Sequence, residues 1–135
     1  MTKKILMILS ALFGLMMVNS GFNKFFNYMP LPEMPENALD LIMAFGASGW
    51  LLSLIAVVEI VGGVLFAIPK YRALGAIIIL PVTVGILLFH VVQDPATVMV
   101  SIILMGINIW AILMDKEKFM PLLQPQKVNS TQLGE

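Results

Sequence analysis

Between Gly49 and Ile68 the chain runs through an unbroken apolar stretch with one ionisable side chain, Glu59, near its middle. As an α-helix this stretch is about 30 Å long, the thickness of a bilayer's hydrocarbon core. A charge at that depth costs roughly 2.5 to 3.5 kcal/mol on insertion scales, so a chain that keeps one normally gives it a partner or a task. The helical neighbours of Glu59 at i−3, i+3 and i+4 are Ala56, Gly62 and Gly63, small residues that let another backbone approach closely. The acid is therefore expected to face other helices and not lipid.

Composition supports a membrane setting. Hydrophobic residues make up 59% of the chain and charged residues 12%, against about 25% charged in soluble domains. Formal net charge is zero and no basic cluster resembles a nucleic-acid footprint, so nucleic acid is not an expected partner. There is no cysteine, which removes disulfides, thiolate catalysis and dithiol redox chemistry together. Any redox role must then use a bound cofactor or a partner protein. One histidine and scattered carboxylates make a poor ligand set for a metal, since catalytic zinc sites usually take three protein ligands, and no intrinsic metal is expected.

Four spans follow from hydropathy and from the prolines that interrupt it. The first is predicted over about 5–26. Lys3 and Lys4 before the apolar run from Ile5 to Val18 resemble a secretory signal, but no small-x-small cleavage site follows, so this segment is expected to remain as a helix. Ser10, Gly14, Gly21 and Lys24 fall along one side of it, with Asn19 and Asn23 on an adjoining stripe. Pro30, Pro32 and Pro35 make 27–48 an outer loop, within which 38–47 is predicted as an interfacial helix, with Trp50 near headgroup level. The second span is 49–68 and ends before the basic turn Pro69-Lys70-Tyr71-Arg72. The third is 73–92, with Pro81 inside it and His90 near its end. The Gln93-Asp94-Pro95 turn leads to the fourth, 96–113, where Thr97, Ser101 and Asn108 line one side. The domain is expected to occupy 1–123, and the polar tail 124–135 is expected to be disordered in the cytoplasm.

The basic residues orient the bundle. With the N-terminus inside, Lys3, Lys4, Lys70, Arg72, Lys116, Lys118 and Lys127 are cytoplasmic and Lys24 alone lies toward the outside. The fold class expected is an all-α four-transmembrane-helix bundle with both termini cytoplasmic, multi-pass in the inner membrane of a bacterium.

Gly21-x-x-Lys24-Phe25 ending the first span, Glu59-x-x-Gly62-Gly63 in the second and Pro69-Lys70-Tyr71-Arg72-Ala73-Leu74 entering the third are, in this order and spacing, similar to the DoxX family of small bacterial membrane proteins. The likeness extends over roughly 5–123. The sequence also resembles a subgroup with a proline-rich outer loop and Leu88-Phe89-His90 before an Asp94-Pro95 turn, although Lys3 and Lys4 stand where the family often has an arginine. The resemblance implies a four-helix membrane bundle. Some relatives are linked to quinone-dependent thiosulfate oxidation or to membrane-associated redox complexes.

Lys24, Glu59, His90, Asn19, Asn23 and Asn108 form the candidate polar site. Glu59 either carries a proton or contacts a ligand, or it pairs with Lys24 or hydrogen-bonds across helices. Lys24 either joins it or snorkels to water. His90 is either an interfacial histidine or a proton relay and donor to a quinone carbonyl. The asparagines, with Thr83 and Ser101, serve as interhelical glue or as ligand contacts. Two functions compete on this basis. One is a redox-associated membrane subunit that takes a quinone and docks a membrane or soluble oxidoreductase. The other is a non-enzymatic transporter or assembly scaffold in which the same residues hold the bundle together. The sequence carries no cofactor motif that decides whether the chain is an enzyme.

Overall fold

Helices form wherever the apolar runs permit, and their ends coincide with residues that cannot continue them. The computed structural model describes residues 1–125 and is all-helical there: α1 Thr2–Phe26, α2 Glu36–Ala47, α3 Leu51–Ala67, α4 Arg72–Val92, α5 Val98–Met114 and the short α6 Met120–Leu123. The tail expected to be disordered lies, from 126 onward, outside the described residues. Three segments, Thr2–Phe26, Arg72–Val92 and Pro95–Met114, are long and apolar enough to cross a membrane, and α2 with α3 makes a fourth if that bent pair counts as one span.

Several boundaries differ from those expected. The first helix begins at Thr2, before both lysines, and its end is closed by Asn27 in the left-handed region (φ 50°), whose N–H donates to the Asn23 carbonyl at 2.7 Å. The second span starts at Leu51 and not at Gly49, because the chain turns there: Gly49 has φ 79°, and α2 and α3 meet at 93°. Ser48 holds this corner. Its hydroxyl donates to the Phe45 carbonyl at 2.7 Å and accepts from the N–H of Leu51, the first residue of α3, at 3.0 Å, so it ties the end of α2 to the start of α3. The fourth span opens with a 3₁₀ turn, Pro95–Thr97, since proline suits the first turn of a helix. The chain also adds a 3₁₀ turn, Lys116–Lys118, and α6 after the last span.

The four long helices run alternately up and down, and small residues set their register. Alanine in place of Gly14 would drive its Cβ into the Gly63 carbonyl, and a Cβ on Gly63 would lie 2.7 Å from the Gly14 carbonyl, so α1 and α3 touch backbone to backbone there. Farther along α1, Gly21 meets the Ala56 carbonyl and Ile60. The next face of α3 repeats the device toward α4: Gly62 seats Ile79, and Gly75 lies against the backbone of Phe66. Thus the two adjacent glycines of α3 serve two different neighbours. Leu6, Phe13, Met17, Phe66, Ala76, Ile79 and Ala111 fill the core, with the Phe13 and Phe66 rings 4.8 Å apart. Leu12, Leu15, Val57, Val61, Leu74, Ile102 and Ile103 face outward, which suits lipid.

At the end opposite α2, Arg72 at the start of α4 grips Asp115 just beyond α5. Its Nε and Nη2 donate to Oδ2 at 2.8 Å and Oδ1 at 3.0 Å, a bidentate pair, with Lys118 Nζ 3.6 Å from Oδ1. Burial alone would push the Asp115 carboxyl up, but the hydrogen bonds and charge of Arg72, helped by Lys118, outweigh it and hold the group below the usual carboxylate range.

Two predictions follow from these contacts. Gly63→Ala should lower thermal stability in detergent by about 1–3 kcal/mol, the usual cost of overpacking. Gly106, whose added Cβ would meet nothing within 4 Å, should accept alanine with no loss or a gain of up to about 1 kcal/mol; equal losses at both sites would contradict the glycine seam. Because the folded pKa of Asp115 is depressed, its stabilisation is full above the unfolded value of about 3.9 and is lost as pH falls through the lower folded value. Asp115→Asn should therefore be less stable than the wild type at neutral pH, and the gap should close on acidification well below pH 4. A gap that persists in acid would show that the carboxylate's charge is not what matters.

Candidate functional site

The polar site is built on the seam between α1 and α3. Gly14 opposite Gly63 and Gly21 opposite Ala56 place Lys24 level with about Ser53, so Glu59 lies six residues, or about 9 Å, deeper. Helical side chains lean toward the N-terminus of their own helix. In this antiparallel pair that tilt sends Lys24 inward and Glu59 outward, and the two meet. Lys24 Nζ donates to Glu59 Oε2 at 2.8 Å, to Oε1 at 3.0 Å and to Ser20 Oγ at 2.9 Å. Ser20 in turn donates to Oε1 at 3.4 Å. Glu59 is 2% exposed and the Lys24 side chain 23%, so the carboxylate is sealed while the ammonium lies at the edge of the opening above it.

That opening is a cleft of about 1210 Å³ at the α2 end of the bundle. Its walls come from α2, the first half of α3 and the second half of α4, closed at one side by the end of α1 and its following loop. Ile42, Ile55, Val58, Val82 and Phe89 make it mostly apolar. Glu59 and Lys24 are at its deep end, Asn23 also lines it, and His90 and Gln93 are at the α4 end. Pro81 and Gly85 belong to the α4 wall, and a Cβ on Gly85 would meet nothing within 4 Å. The cleft stops below Glu59, where the Gly62, Ile79, Phe66 and Gly75 contacts close the space.

Of the six candidate residues, Lys24 and Glu59 bond directly, and Asn23 and His90 share their cleft. Asn19 and Asn23 also hold the loop after α1. The Met29 N–H donates to Asn23 Oδ1 at 2.8 Å, and the Tyr28 hydroxyl donates to the Asn19 carbonyl at 2.8 Å and to its side-chain oxygen. Asn108 is elsewhere: fully buried between α4 and α5, it donates to the Ala76 carbonyl at 3.2 Å, with the Thr83 hydroxyl 3.5 Å from its Oδ1. His90 does not touch the ion pair. Its Nδ1 lies 2.7 Å from Thr97 Oγ1, and that hydroxyl donates to Asp94 Oδ2 at 2.7 Å. Among the described residues, no three histidine or acidic side chains come together as metal ligands.

Sequence reading does not single out Ser20, Gly85 or the Arg72 to Asp115 clamp. The i, i+4 spacing of Ser20 and Lys24 is the signal that finds the first. No local pattern finds the others, which depend on how α4 packs.

The ion pair predicts strong coupling. Removing one partner of a buried pair strands the other, at about 3–5 kcal/mol, less the relief that Lys24 gains from its partial exposure. In a thermal-stability cycle in detergent, Lys24→Met and Glu59→Gln together should cost less than the sum of the two alone, with a coupling of about 1–3 kcal/mol. Simple addition would mean that the two side chains act independently.

Comparison with known proteins places this architecture. A Bacillus subtilis (strain 168) protein, YwoB, described as uncharacterized, is 36% identical over 75 residues, covering 56% of this chain and 49% of YwoB. The matched part thus spans about half the length of that relative. No solved structure matches. The DoxX family model matches residues 5–91, well over half of the chain and all of α3, with Lys24, Glu59 and His90 inside the match and Asn108 beyond it. The chain is a multi-pass membrane protein of the DoxX family.

Proposed function

We propose that the cleft binds a lipid-soluble molecule with a small polar head, a quinone foremost, and that the chain works as a redox-associated membrane subunit beside an oxidoreductase partner. The observation that carries this reading is the shape and chemistry of the cleft. Small-molecule sites are mostly apolar hollows of about 300–1,000 Å³ with a few convergent polar groups. This one is somewhat larger, apolar along α2, α3 and α4, and polar at Lys24 and Glu59 on one side and at His90 on the other. Its apolar walls suit a ring and the start of an isoprenoid tail, and the bare surface at Gly85 leaves room for a flat ring against α4. A bound quinone would supply reversible electron and proton chemistry. The residues of this chain would hold its head group and keep the deep end dry.

The competing transporter reading needs a path onward through the bundle. Close packing of Gly62, Ile79, Phe66 and Gly75 below Glu59 favours a closed binding pocket instead. The inner membrane is the proposed location, with α1 starting in the cytoplasm. The up-down arrangement gathers Lys3, Lys4, Lys70, Arg72, Lys116 and Lys118 at one end and leaves Lys24 toward the other, as the positive-inside rule requires.

Gly85→Phe tests the reading, because it adds a ring to the cleft wall at a residue that takes no part in the ion pair. Purified in native lipid particles, the wild type should carry a quinone detectable by mass spectrometry. The variant should carry at least about tenfold less while keeping a cooperative thermal transition, as expected when a ring occupies the ligand's place. Equal quinone content in the two proteins would refute the cleft as its site.

A further inference from the structure

Hydrogen-bond donors and acceptors are unequally available around the cleft. At its deep end all three hydrogens of Lys24 Nζ are committed, two to Glu59 and one to Ser20. An incoming group finds no free N–H there unless the pair opens. The Glu59 oxygens take three bonds and are sealed, so the deep end presents an incoming group with little free capacity in either sense.

At the other end the sense is fixed by Thr97. Its hydroxyl has one hydrogen and three close polar neighbours: Asp94 Oδ2 at 2.7 Å, the Asp94 carbonyl at 3.3 Å and His90 Nδ1 at 2.7 Å. With the Asp94 side chain ionised, both of its groups can only accept, so the hydroxyl hydrogen goes to Asp94 and the Thr97 oxygen receives a hydrogen from His90 Nδ1. In the neutral ring this leaves Nε2 bare, an acceptor. Thr97 and Asp94 line a separate recess of about 300 Å³, whereas His90 lines both spaces. Nδ1 is thus engaged by Thr97, and Nε2, which takes no hydrogen bond among the described residues, is the ring nitrogen available to a ligand in the cleft that His90 lines. The amides of Asn23, Asn27 and Gln93 in the lining donate and accept alike and do not discriminate.

We propose that the cleft selects the reduced, hydroxyl-bearing form of its ligand, a quinol in preference to the quinone, with His90 Nε2 accepting from a head-group hydroxyl. Thr97 and Asp94 are positioning residues that set the tautomer. This inference rests on the quinone-class reading of the cleft and adds the direction of its hydrogen bonds. A quinol hydroxyl has a hydrogen to give to Nε2; a quinone carbonyl there would set two lone pairs against each other and leave both unpaired. Sites built around one sense of hydrogen bond reject the analogue that lacks it.

The test uses the full chain in nanodiscs under anaerobic conditions, with a short-tailed naphthoquinone and the same compound reduced by dithionite as probes. The quinol should bind about tenfold tighter than the quinone, a discrimination at the upper end of what one hydrogen bond supplies. Because His90 is the single histidine of the chain, nitrogen-15 NMR reports its tautomer without ambiguity. The wild type should show a protonated Nδ1 and a bare Nε2. Thr97→Val should give a mixture of tautomers and reduce the preference for quinol to about twofold or less. If neither form binds, the quinone-class reading fails and this inference with it. If the quinone binds as tightly as the quinol, or the wild-type ring carries its proton on Nε2, the inference alone is overturned.

Discussion

A carboxylate sealed inside an apolar bundle is the constraint on which the rest of this molecule depends. Glu59 is 2% exposed in a helix otherwise made of apolar and small residues, with one serine near its start, and no water of the bilayer core can relieve it. Its compensation comes from α1, where Lys24 and Ser20 supply the hydrogens that water would have supplied. That compensation demands a particular register between α1 and α3, and the glycines provide it. Gly14 against Gly63 and Gly21 against Ala56 bring the backbones close enough for the two long side chains to lean toward each other and touch.

The cleft is a consequence of the same economy of space. Below Glu59, paired small residues close α3 onto α1 and α4, and the core is filled by Phe13, Met17, Phe66 and Ile79. Above it, the 93° turn at Ser48 and Gly49 carries α2 away from the axis of α3, while Gly85 leaves α4 without a side chain. The upper half is therefore open where the lower half is shut. Charge is placed to match: the clamp of Arg72 on Asp115 ties the shut end, and the Lys24 to Glu59 pair forms the floor of the open one.

Much of this was legible in the residues, and the remainder was not for physical reasons. The four spans were readable because apolar runs of bilayer length are a strong signal, and the helical neighbours of Glu59 already marked its face as one that packs. The meeting of the Ser10, Gly14, Gly21, Lys24 face with the Ala56, Glu59, Gly63 face could be anticipated from small-residue spacing alone. Helix ends were less readable. Whether α3 begins at Gly49 or Leu51 depends on a positive φ and on the Ser48 hydroxyl, which are properties of the corner and not of the pattern. Asn108 shows the other limit: its spacing marked it as buried and polar but could not say that it joins α4 to α5, away from the cleft. The Arg72 to Asp115 clamp crosses 43 positions of sequence, and Arg72 reads as a topological charge until α4 and α5 are side by side.

The ion pair is the claim that carries the others, and its geometry is open to direct measurement in a bilayer. Among the described residues, Lys24 with Glu59 is the one ion pair between a lysine and a glutamate. Magic-angle-spinning NMR of the chain labelled with nitrogen-15 lysine and carbon-13 glutamate therefore reads it in isolation, as dipolar coupling between Nζ and the carboxyl carbon. The account predicts strong dephasing, as a 2.8 Å contact between Nζ and Oε2 requires, and its loss in Lys24→Met. Absence of that coupling in the wild type, or its persistence in Lys24→Met, would contradict the account.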